Sequence, residues 1–286
     1  MTSNLGQLGQ HSPARSELTV IVPSGVPFLN KVAEYRRCRT LFVFLALRDV
    51  MLRYRQTLLG VAWAVVQPLL PMAIFTVVFA RVLRPATGGV PYWLFVLAGL
   101  APWTFFAGAI NAAASTFINN QGLLNKVYFP RAILPGAAVS AFLLDWLVTS
   151  LFVISLVVWQ GYRPTMAWLF LPLIVVVTAV LTMSVGLALA SLMAMYRDVK
   201  HLLPFLIQIW LFTTPIVYPP SLLPHQIQRA VGLNPMAGVV EAIRSCLFRT
   251  APDWSLLTLS LLSTLAISLA ALLLFHRLEA DLAEQV

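Results

Sequence analysis

RDVMLRYRQTLLGVAWAVVQPLLPMAIFTVVFARV, Arg48 to Val82, decides the fold. Four charges, Arg48, Asp49, Arg53 and Arg55, precede Leu58 to Ala80, 23 residues with no charged side chain. At about 1.5 Å per helical residue this run covers the roughly 30 Å of a bilayer's hydrocarbon core, so it reads as a membrane span. Lys and Arg are retained on the cytoplasmic side, so the span starts inside and ends outside, and every later span alternates from it.

Upstream, Phe28 to Gln56 is basic and compatible with a helix, with Lys31, Arg36, Arg37, Arg39, Arg48, Arg53 and Arg55 around the short apolar run Leu41 to Leu47. That run is too short to cross. An amphipathic interface helix over residues 31–56 is expected instead, lying in the cytoplasmic headgroup region with Arg37, Arg48, Arg53 and Arg55 available to membrane lipid. Phe42, Leu45 and Leu52 would dip inward and Asp49 would pair with Arg53 at i,i+4. A plain basic lead-in to the span is the alternative. Residues 1–30 are polar, lack the basic-then-apolar pattern of a signal peptide, and read as a flexible cytosolic tail.

Downstream, Tyr92 to Phe117, Ala132 to Trp159, Met166 to Met195, Leu202 to Tyr218 and Trp254 to Phe275 are further apolar runs. The expectation is an all-α membrane protein with six spans in residues 57–275 and a cytosolic tail over 276–286. Pro68 and Pro71 predict a bend in the first span. The small residues from Gly108 to Ser115 suit close helix packing first and a conduit wall second. NNQGLLNKVYFPR, Asn119 to Arg131, is an inner loop retained by Lys126 and Arg131; its Leu123, Leu124, Tyr128 and Phe129 suit either the membrane surface or a docked partner. Asp145 is the acidic residue well inside a span. It is either a functional carboxylate or a hydrogen-bonding partner of a neighbouring helix, a role in which Asn would largely replace it.

The segment Pro219 to Pro252 departs from this pattern. It is apolar, yet Pro224, Gly232, Pro235 and Gly238 exclude one continuous helix. Two half-helices, Leu222 to Val231 and Met236 to Phe248, are predicted to re-enter from outside, the second carrying an apolar stripe at Met236, Val239, Val240, Ile243 and Leu247. Charge agrees with the topology, since its inner segments hold 13 of the 19 Lys and Arg residues. Tyr92, Trp93, Trp159, Tyr162, Trp168, Tyr218 and Trp254 fall at outer span ends, where aromatics form an interfacial belt or stack on sugar rings.

Composition narrows function. With 59% hydrophobic and 10% charged residues the chain is a polytopic membrane protein. Its basic excess is scattered at span ends, which argues against nucleic acid. No phosphate-binding G-x-x-x-x-G-K-[ST] loop and no His/Cys cluster occurs, so neither ATP hydrolysis by that route nor a metal site is expected in this chain. What remains is a conduit worked by a partner.

Four stretches taken together, LRYRQTLLGVAWAVVQPLLPMAIFTVVFARV at Leu52 to Val82, NKVYFPRAILP at Asn125 to Pro135, YRDVKHLLPFLIQIWLFTTPIVY at Tyr196 to Tyr218 and NPMAGVVEAIR at Asn234 to Arg244, resemble polysaccharide and polyol-phosphate exporter permeases, the membrane subunits of type 2 ABC exporters. The resemblance implies a homodimer in the bacterial inner membrane with both termini cytoplasmic. It implies two copies of a separate phosphate-loop ATPase that binds ATP and Mg, and a lipid-linked polysaccharide cargo, O antigen favoured over capsule or teichoic acid. It places the coupling contact at residues 119–131, with Leu123, Leu124, Lys126, Tyr128, Phe129 and Arg131, and the outer cap at Leu222 to Phe248. Conduit or outer-gate candidates are Trp103, Phe106, Asp145, Trp210, Tyr218, Asn234, Pro235 and Glu241. A small-molecule exporter of the same superfamily and a proton-driven flippase are the alternatives.

Overall fold

The computed structural model describes residues 36–55, 57–83 and 87–285; the expected tail over residues 1–30 and the first residues of the interface helix lie outside them. All regular elements among the described residues are helical. They are α1 (Arg39–Tyr54), α2 (Ala62–Leu83), α3 (Tyr92–Ala114), the short α4 (Thr116–Asn119) and α5 (Gln121–Leu124), α6 (Ile133–Trp159), α7 (Leu171–Met195), α8 (Val199–Thr213), α9 (His225–Gly232), α10 (Pro235–Phe248) and α11 (Trp254–Gln285). Five helices are long and apolar enough to cross a membrane: α2, α3, α6, α7 with the turn that leads into it, and α11.

At the centre is α3. Leu94, Val96, Leu97, Phe106 and Ala109 on it have no exposed surface, so it is covered on all sides. Around it stand α6, α7 and α2, with α10 across its first half and α11 against α7. The small face from Gly108 to Ser115 is a packing face. A Cβ on Gly108 would come 2.2 Å from the Phe142 ring of α6, and one on Gly186 of α7 would come 2.8 Å from Ala113. By contrast α2 is peripheral: Leu70, Ile74, Val77 and Val78 are exposed and present an apolar face.

Several sequence boundaries shift. The first span begins at Ala62, not Leu58, because Gly60 turns the chain between α1 and α2 with a φ of 52°. Pro68 and Pro71 lie inside a continuous α2. Residues 276–285 continue the α11 helix without a break, where a separate tail was expected. Residues 202–218 form a helix only to Thr213. At about 1.5 Å per residue the 15 residues of α8 reach about 22 Å, short of a bilayer core, and the chain beyond is irregular. The two half-helices form close to their predicted limits as α9 and α10. Pro235 starts α10 at a position that needs no backbone donor, and the Asn234 side chain caps it by accepting from the Met236 N–H at 3.0 Å.

The interface helix forms over Arg39–Tyr54. It runs beside α6 in the same direction, with Phe42 against Gly136 and, about three turns on, Arg53 and Tyr54 against Asp145. Phe42 and Leu45 face inward as expected, whereas Leu52 is exposed.

Candidate functional site

Two polar joints hold this apolar bundle, one beside the middle of α3 and one at its start. The inner joint is built on Asp145, buried midway along α6. Its carboxylate pairs with the Arg53 guanidinium at 2.8 Å and accepts a hydrogen bond from the Tyr54 hydroxyl. Arg53 also lies over the Phe142 ring, 3.5 Å from its centroid. Burial first, and then the bond to Asp145, push the Tyr54 phenol well above its ordinary range, which keeps it a donor. One turn along α6, the Thr149 hydroxyl donates to the Ala64 carbonyl at 2.8 Å and ties α2 to the same joint. The expected Asp49–Arg53 pair is absent: Asp49 instead pairs with its neighbour Arg48 at 2.8 Å, leaving Arg53 to Asp145. Asp145 is therefore a fastening between interface helix and span, and Asn at this position would leave Arg53 without its counter-charge.

The outer joint forms where α8 stops. Pro215 ends helical pairing, and the carbonyls beyond it need donors, because a lipid environment offers none. Arg244 of α10 provides them. Its guanidinium, fully buried, donates to the carbonyl of Pro215 at 2.7 Å, of Ile216 at 2.6 Å, and of Phe95 on α3 at 3.1 and 3.2 Å. It stacks 3.5 Å from the centroid of the Phe95 ring. The Tyr92 hydroxyl donates to the next carbonyl, Val217, at 2.9 Å, so Tyr92 is a buried clamp and not a belt residue. Asn234 adds a third tie: its side chain donates to Thr214 Oγ1 at 2.8 Å and accepts from Trp210 Nε1 at 2.8 Å. The break before α10 is satisfied in turn by Ser260 of α11, which donates to the carbonyls of Gly232 at 3.0 Å and Asn234 at 3.1 Å.

Most of the conduit and gate candidates converge here. Trp210 meets Phe106 edge-on with centroids 4.8 Å apart, Phe106 meets Trp103 at 5.7 Å, and Pro235 begins the helix that Asn234 caps. Glu241 lies one turn before Arg244 and is partly buried. Tyr218 follows the clamped carbonyls and is partly buried. Asp145 does not belong to this group. Arg244 was missed in the sequence, although an arginine four residues after Val240, inside an apolar stripe whose five members are all buried, was the signal to follow.

The segment 119–131 divides into an exposed and a buried part. Lys126, Val127 and Tyr128 are exposed, and Leu123 and Leu124 are half-buried against the inner core. Phe129 is 5% exposed and packs in that core with Leu45, Phe117, Ile133 and Leu187. It is withdrawn from any docking surface. Flanking α1, Arg37 and Arg55 are exposed, and Arg48 on the helix is partly so.

The sequence matches the ABC-2 type transporter family over residues 40–248, from α1 to the end of α10. The chain belongs to that family. An ABC-2 type transporter is a transport protein, and the five long apolar helices make this member a multi-pass membrane protein. Among curated relatives, an O-antigen export system permease protein from Myxococcus xanthus is 28% identical over 222 residues, 77% of this chain and 85% of the relative. A protein of the same name from Klebsiella pneumoniae is 25% identical over 245 residues, 85% and 94% of the two chains. The polysialic acid transport protein KpsM of Escherichia coli is 25% identical over 203 residues, 70% and 78%. The family match takes in both joints and the segment 119–131.

Proposed function

We propose that this chain is the permease subunit of an ATP-driven exporter that moves lipid-linked polysaccharide, O antigen in the first instance, outward across the bacterial inner membrane. The observation that carries this is the likeness, over more than three quarters of the chain, to two proteins named O-antigen export permeases. It acts as a homodimer with two copies of a separate phosphate-loop ATPase, which holds ATP and Mg. Six crossings with both termini cytoplasmic give the topology, α8 and the irregular residues after it making the fifth, and α9 and α10 re-entering from outside.

Segment 119–131 then meets the ATPase through Leu123, Leu124 and Tyr128, while Phe129 anchors it in the inner core. Closure of the ATPase dimer on ATP pushes this segment, and the push passes through Phe129 to α1, α6 and α7. At the other end Trp103 and Phe106 are buried beside the α10 cap, and Trp210, which packs edge-on to Phe106 and is partly exposed, is the aromatic left for the face of a sugar ring. The Arg53 pairing makes Asp145 a poor proton carrier, which disfavours a proton-driven flippase.

Deleting the gene tests the assignment. The expected result is loss of surface polysaccharide with build-up of lipid-linked glycan inside the cell, reversed by this chain together with its ATPase but not by this chain with an ATPase that cannot hydrolyse ATP. Normal surface polysaccharide in the deletion strain contradicts it.

A further inference from the structure

Between α7, α10 and α11 lies a cavity of about 820 Å³, within the roughly 300–1,000 Å³ typical of small-molecule sites. Its body is apolar, formed by side chains such as Leu173, Val177, Val239, Leu257 and Leu261. Along α11 it extends from Trp254 to Thr264, about 15 Å at 1.5 Å per residue, which is one leaflet of a bilayer core of roughly 30 Å. One acyl chain has this depth; a chain crossing the membrane does not.

The mouth differs from the body. Thr165 and Ser245 line the cavity, and their hydroxyl oxygens are buried with no hydrogen-bond partner among the described residues. Ser245 is 9% exposed, so bulk water does not satisfy it. Arg249 and Thr250 follow at the end of α10. Arg249 has a φ of 60°, the left-handed conformation in which a helix is normally ended by Gly or Asn, and it is the only non-glycine residue with positive φ among the described residues. Among the described residues no ion pair holds its guanidinium, which is exposed at the mouth. An arginine kept in a strained position at the polar mouth of a leaflet-deep apolar cavity has a charge to meet.

We propose that this cavity is a binding site for one anionic membrane phospholipid, whose acyl chain fills the space between α7, α10 and α11 and whose phosphate lies at Arg249 with Thr165 and Ser245 beside it. The lipid then packs the back of α10, the helix whose other face carries Arg244 and the outer joint. The proposal needs only the membrane-embedded fold and not the identity of the cargo.

Native mass spectrometry of the purified full-length chain tests it, with phosphatidylglycerol and phosphatidylethanolamine of identical acyl composition as probes and no transport in the assay. The wild type is expected to keep one phosphatidylglycerol at detergent levels that strip other lipid. Ala242→Phe, which fills the cavity from α10, abolishes retention, and Val177→Phe does the same from α7 should the first variant fold poorly. Arg249→Gly relieves the backbone strain, so it folds at least as well, yet loses the preference for phosphatidylglycerol by about tenfold as a charge-assisted contact disappears. The proposal is overturned if the wild type keeps no lipid, if both cavity-filling variants keep it, if Arg249→Gly preserves the preference, or if the lipid recovered from native membranes is a polyprenyl phosphate.

Discussion

Two arginines, Arg53 partly buried and Arg244 fully so, fasten this bundle, and they are solvated in opposite ways. Arg53 at the inner joint meets a full counter-charge, Asp145, from a helix that starts about 80 residues later in the chain. At the outer joint Arg244 has no carboxylate within bonding distance among the described residues and is met by three backbone carbonyls and an aromatic face. The difference follows from what each must fasten. Both helices are unbroken at the inner joint, and a side-chain pair joins α1 to α6 there. An interrupted helix exposes carbonyls, so joining α10 to the end of α8 takes a cation with several donors. Arginine suits this because its planar fork presents five N–H groups, where lysine presents three from a single atom.

The largest expected effect is therefore at Arg244. Arg244→Ala leaves the buried carbonyls of Pro215 and Ile216 without donors and is expected to cost about 3–5 kcal/mol, read as a large fall in the thermal midpoint and yield of the purified protein. Arg244→Lys should recover only part of this. If lysine restores full stability, the carbonyl fork is not what the site requires.

Next comes the inner pair. Asp145→Asn preserves the acceptor for Tyr54 but strands Arg53, at a cost of up to about 3 kcal/mol, less than at Arg244 because Arg53 keeps 22% of its side-chain surface. Pairing it with Arg53→Met should recover most of the loss, since a buried ion pair is often replaceable by apolar packing. No double substitution can rescue Arg244→Ala in this way, because its partners are backbone. Equal rescue behaviour at the two sites would erase the distinction between them.

The spans were legible because about 20 apolar residues in a row have few other uses, and α10 because Asn234, Pro235 and its apolar stripe mark a helix start and a buried face. Neither joint was. Tyr54 and Asp145 are 91 residues apart, and Arg244 and Phe95 are 149 apart, so the partner that makes each polar group tolerable is invisible locally. The same blindness hid one contact of α1: its arginines suggested headgroups, and only Asp145 reveals that Arg53 is tied to a span. Phe129 failed differently, since an apolar residue in a polar loop fits a docking anchor and a buried anchor equally well until its surroundings are known.

A smaller effect separates packing from polar fastening near the outer joint. Gly238→Ala places a Cβ 2.3 Å from Cβ of Ser260 and should push α10 off α11, costing about 1–3 kcal/mol in the same thermal assay. No loss of stability there means α10 is held by its polar ties and not by close packing on α11. The smallest effect on stability is expected from Leu124→Asp with Tyr128→Asp, at the segment beyond the inner joint. Insertion and dimerisation should survive while co-purification of the ATPase and stimulated ATP hydrolysis are lost. A double variant that still binds its ATPase and exports glycan normally moves the coupling role to α1.

The proposed topology places segment 119–131 on one side of the membrane and the residues leading into α10 on the other. Cysteine accessibility measures that directly. In a chain with Cys38 and Cys246 replaced, single cysteines at the exposed Gln121 and Gln226 are treated in intact cells with a membrane-impermeant maleimide. The position in 219–252 should label in intact cells and Gln121→Cys only after the membrane is opened; labelling of both from the same side contradicts the topology and the export mechanism built on it.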